Sequence, residues 1–93
     1  MNVDYSNLER DLMDGSFRQT LADELTLGFR MLHQEGERLP AASHYASQIT
    51  EIVHSGAAGV LHPDLAFLLY QEILSAVEES RDRVLAEPVP PPQ

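Results

Sequence analysis

Only one pairing among the 4 histidines and 15 carboxylates of this 93-residue chain has the spacing of a metal-ligand set. Glu51 and His54 form Glu-x-x-His, the i, i+3 spacing by which di-iron helix bundles project two ligands from one helix, and Glu24 or Glu35 could supply another carboxylate. The complete bundle signature needs two such pairs and two further carboxylates, so one pair would have to be doubled across a symmetric dimer. Both residues fall on the polar side of their helix, whereas ligands in such sites project inward, so they read as solvated side chains. His44 shares that polar face, two turns from Glu51 and about 10 Å away, too far to join one ion. A metal-binding, ferritin-like helical dimer is therefore an alternative reading, and no metal or other cofactor is expected.

The other candidates are weaker. His33 stands where a cation complements a helix C-terminus, and His62 is placed as an N-cap or a loop residue. Neither has a Ser or carboxylate at a spacing that suggests a nucleophile and its base, and cysteine is absent, so catalysis is not expected. Gly56-Ala57-Ala58-Gly59 matches the bare G-x-x-G of KH-type nucleic-acid loops. It has no Lys or Arg beside it and lacks the accompanying strands, so it reads as a helix stop and linker. Pro90-Pro91-Pro92 lacks the basic flank of a strong polyproline ligand.

Charge restricts the partners. The chain has 6 Lys and Arg in total, every one an Arg, and a formal charge of −9. Such a surface repels phosphate backbones and anionic lipids, so neither nucleic acid nor membrane is an expected partner. An acidic nucleic-acid mimic is a further alternative, but it would need carboxylates aligned on one face, and here they are scattered over every helix. Met1 to Asp14 carries Asp4, Glu9, Asp11 and Asp14 without an apolar run, which does not suit a secretory signal, so a cytoplasmic location is expected.

The elements that must position these residues are all helices. Ser6 with Glu9 suggests a capping box for a short first helix that stops at Gly15. Ser16 with Gln19 opens a second helix with the stripe Phe17, Leu21, Ala22, Leu25, Gly28, Phe29 and Leu32, ending near Glu35 with Gly36 as its stop. Gly28 inside that stripe costs about 1 kcal/mol of helix propensity relative to Ala, which a close helix crossing would explain. A third helix runs from Pro40 to about Ser55, with Ala41, Ala42, Tyr45, Ala46, Ile49, Ile52 and Val53 inside and an entirely polar outer face. Gly56 to Val60 is a short connection, and the fourth helix is expected from Pro63 to Ala86. Residues 87–93, with four prolines, read as a disordered tail on a single helical domain of residues 1–86.

The fourth helix is apolar over too wide an arc. Leu65, Leu69, Ile73, Ala76, Val77 and Val84, with Ala66 and Tyr70, form one stripe, and Phe67, Leu74 and Leu85 widen it to roughly 200°. So wide an arc calls for a second cover, and another chain is the expected one. The reading is an all-α, small antiparallel bundle of three main helices with a short N-terminal helix, dimeric through Leu27, Met31, Phe67, Tyr70, Leu74 and Leu85. Its expected function is non-catalytic: a regulator, adaptor or inhibitor that docks on another protein, not identified by the sequence.

Overall fold

Gly15, at φ 83°, ends one helix and starts the next. The computed structural model describes residues 7–57 and 61–88, in which α1 spans Leu8–Asp14, α2 Ser16–Gln34, α3 Ala42–Gly56 and α4 Ala66–Leu85. Ser6 of the expected first capping box lies outside the described residues. The second capping box is corrected, because Ser16 is already inside α2. Its backbone N–H donates to the Asp14 carboxylate at 2.9 Å, so the capping oxygen comes from two residues upstream.

Gly36 stops α2 as expected, in the left-handed region at φ 76°. The Gly36 N–H donates to the His33 carbonyl and the Glu37 N–H to the Leu32 carbonyl, the paired bonds of a Schellman end. α3 begins two residues after Pro40, behind an extended Ala41, and keeps Gly56 as its last residue. A 3-10 turn over Pro63–Leu65 precedes α4, and His62 caps it, its Nδ1 accepting the Asp64 N–H at 3.1 Å.

Polar contacts fix the direction of the helices. Glu9 accepts the His62 N–H, Arg18 reaches Glu79, Arg83 reaches Asp23 and Arg30 reaches Glu87, at sequence separations of 53, 61, 60 and 57. Separations this constant mean that α1 and α2 advance together with α4, so α2 and α4 run parallel. The end of α2 and the start of α4 then lie at opposite ends, and α3 must descend between them, antiparallel to both. The bundle is up-down-up. Antiparallel order holds along the chain, as the short connections imply, but the broad α2–α4 seam is a parallel one.

That arrangement covers the main stripe of α4, though not Phe67 and Leu85. Leu69, Ile73, Ala76, Val77, Ser80 and Val84 are fully buried, because α2 covers one flank of the helix and α3 the other. The Ala76 side of α4 meets a face of α2 that buries Ala22 and Thr26. Both buried hydroxyls are satisfied locally, Thr26 donating to the Ala22 carbonyl at 2.6 Å and Ser80 to the Val77 carbonyl at 2.9 Å. Leu8 and Leu12 of α1 complete the core at the lower end, with Leu39 and Ala57 contributing from the connections.

The expected core changes at Ala41, which is exposed ahead of α3, and in two further details. Ile52, assigned to the inner face of α3, is 69% exposed, so the outer face of that helix is not entirely polar. Gly28 is not at a close crossing: a Cβ built there would meet nothing within 4 Å.

Candidate functional site: a groove along the second helix

α2 has an apolar flank that its neighbours cover only in part, and α4 leaves Phe67 and Leu85 exposed. Ala22, Thr26 and Phe29 are buried against the rest of the bundle, while Phe17, Leu21, Leu25 and Leu32 on the adjoining flank are only half-buried. Helical geometry requires this division. At about 100° per residue Phe17, Gly28, Leu21, Leu32 and Leu25 occupy one sector of the helix, next to the sector that faces α4. One α4 helix cannot cover both, and α3, which lies on the other flank of α4, approaches α2 only near its upper end. There the rings of Phe29 and Tyr45 sit 5.6 Å apart and 57° tilted.

The space left open is a groove of two adjoining cavities. The upper one, about 370 Å³, is floored by Leu21, Leu25, Gly28 and Leu32 and closed on the far side by Pro40 and Tyr45. The lower one, about 270 Å³, is bounded by Asp11, Ser16, Phe17 and Thr20. Leu21 and Glu24 line both, which joins them along α2. From Phe17 to Leu32 the floor runs for about 22 Å, or four helical turns. Its surface is mostly hydrocarbon, with Asp11, Ser16, Thr20 and Glu24 as polar lining.

The cations around α2 are engaged elsewhere. Arg18 bridges to Glu72 and Glu79, both at 3.3 Å, and Arg30 Nε donates to both carboxylate oxygens of Glu87 at 2.9 and 3.0 Å. Arg83 joins Glu79 at 2.7 Å to Asp23 at 3.1 Å, and these contacts hold its guanidinium above its ordinary pKa. Three of the arginines are thus turned to the α2–α4 seam or its end. Glu24 has no ion-pair partner among the described residues, and Asp11 has only Arg10 at 3.8 Å.

The six residues expected at an interface separate into two groups. Leu27, Met31, Phe67 and Leu85 are exposed, Phe67 at 70%, whereas Tyr70 and Leu74 are half-buried against the core. Leu27 and Met31 stand on α2 beside Glu24 and Gly28, so they extend the apolar surface of the groove over its rim. Phe67 and Leu85 lie near opposite ends of α4. Glu51 and His54 are exposed on α3, and among the described residues no three His, Asp or Glu side chains gather as a metal set. Gly59 and Pro90 to Pro92 lie outside the described residues.

Sequence reasoning placed the groove floor in the core. The signal was present: Leu27 and Met31 added to the stripe from Phe17 to Ala22 give α2 an apolar arc of roughly 220°, wider than that of α4. Compared with protein-family models, with curated proteins and with solved structures, the chain shows no match.

Proposed function

We propose that this protein is a non-catalytic docking module, a regulator, adaptor or inhibitor that acts by holding part of another protein in the α2 groove. The observation that supports this reading is the half-buried row Phe17, Leu21, Leu25 and Leu32, which lines open space beside the backbone of Gly28. An uncovered apolar trough is unfavourable in water and is found where a partner covers it, and its length suits one helix laid lengthwise. A photo-crosslinking side chain at Leu25, compared with one at Ser75 on the exposed face of α4, tests the assignment in cells that make the protein. A discrete crosslinked protein from Leu25 and none from Ser75 is expected. Equal crosslinking at both positions would defeat the reading.

Self-association is the second reading, favoured by the exposure of Leu27, Met31, Phe67 and Leu85. Light scattering on a sizing column gives the mass directly. A dimer that Met31→Arg disperses would support an interface on α2, while a dimer unchanged by that substitution would move it to the α4 residues.

A further inference from the structure

We infer that the occupant of the α2 groove is a basic amphipathic helix of a partner protein. This rests on the docking reading above and adds the chemistry of the partner. The polar lining of the groove contains two carboxylates, Asp11 and Glu24, and no cation. Glu24 sits at the junction of the two cavities with no ion-pair partner among the described residues. Arg18 and Arg30, the α2 cations that could neutralise it, are held by Glu72, Glu79 and Glu87. The groove therefore presents an apolar floor under a negative field, in a chain of net charge −9. A second copy would bring another −9 to the contact, whereas Arg or Lys along the flanks of an incoming helix would meet the unpaired Glu24 and, at the lower end, Asp11 with its one distant arginine.

Gly28 sets the closest approach. Nothing in the chain's own packing requires a glycine there, since a Cβ would meet nothing within 4 Å, and no left-handed φ calls for one. Its effect is to leave bare backbone in the middle of the floor, where a crossing helix with a small residue at the contact can come near.

The test uses the full chain and two labelled helical peptides of about 16 residues, long enough to fill the groove. Both carry the same Leu and Ala stripe; one has Arg on its flanks and its twin has Glu. Fluorescence anisotropy should show the Arg peptide binding at least about tenfold more tightly than its twin, with the advantage shrinking as salt rises. Glu24→Arg should remove most of that preference, and Gly28→Arg, whose side chain would leave the helix into the open groove, should abolish binding of both peptides while circular dichroism keeps its helical signal. Equal binding of the twins overturns the charge selection but leaves the groove as a docking site. If neither peptide binds while Leu25 still crosslinks specifically, the basic-helix occupant is wrong and the docking reading survives. A dimer by light scattering that Gly28→Arg disperses, with no peptide binding, places a second copy in the groove and overturns the inference.

Discussion

Asp14 performs the capping that the sequence pattern suggested for Ser16, and it does so as a carboxylate. Hydrogen bonds from the Ser16 side chain, then from its backbone N–H, hold its pKa below the ordinary 3.8, with the Arg10 charge adding to them. A lowered folded-state pKa means that ionised Asp14 stabilises the protein above the unfolded value, and this contribution is lost as pH falls through the folded one. Asp14→Ala should melt earlier than the parent at neutral pH, and the difference should vanish in strong acid, as followed by circular dichroism. Gly28 makes the opposite prediction. Because its Cβ would enter open space, Gly28→Ala should raise the stability of the free protein by about 0.5–1 kcal/mol in urea unfolding. The same substitution should weaken whatever docks there. A stabilised variant with undiminished docking would show that Gly28 is not a point of close approach.

At the scale of elements, the α2–α4 seam combines small buried residues with a ladder of ion pairs. Arg18 is the shared member, lying between Glu72 and Glu79. Arg18→Ala leaves Glu72 without a cation among the described residues and Glu79 with Arg83 alone, and should cost about 1 kcal/mol at low salt, with the loss shrinking as ionic strength rises. Urea titrations at two salt concentrations would measure it, and a salt-independent loss would point to the packed arginine stem instead. Leu69 is fully buried in the middle of this packing. Leu69→Ala should cost about 2–5 kcal/mol, the usual result of opening a cavity in a core where little can collapse to fill it.

For the whole molecule, α4 is the hub, and its main stripe is covered within the chain by α2 and α3, while Phe67 and Leu85 of the wider arc stay exposed. Leu74, half-buried against the core, is then a poor probe of association, since Leu74→Arg would disturb the bundle itself. The end of the chain also takes part in the fold at one position: Glu87 accepts from Arg30, although it begins the proline-rich segment. Glu87→Ala should therefore lower stability by up to about 1 kcal/mol, and removing residues 89–93 should change it less. Thermal melts of the two variants would separate these effects. If the truncation proved the more costly, residues 89–93 would have to be packed against the helices.

The local pattern of the sequence was enough for the four helices and for the stops at Gly15 and Gly36. Those features depend on backbone freedom and on hydrogen bonds between residues close in the chain. The periodicity of α4 also identified its buried stripe. Which surface covers a stripe is a different matter, because it depends on the directions in which separate helices run. The parallel course of α2 and α4 is seen in contacts between residues 53 to 61 apart, and it gives α4 a cover on each flank, whereas α2 has α4 along its length and α1 and Tyr45 only towards its ends. An apolar arc on a helical wheel looks the same whether its neighbour is present or missing. Phe17, Leu21, Leu25 and Leu32 thus read as core residues in the sequence, and only the placement of α3 on the far flank of α4 turned them into the floor of an open groove.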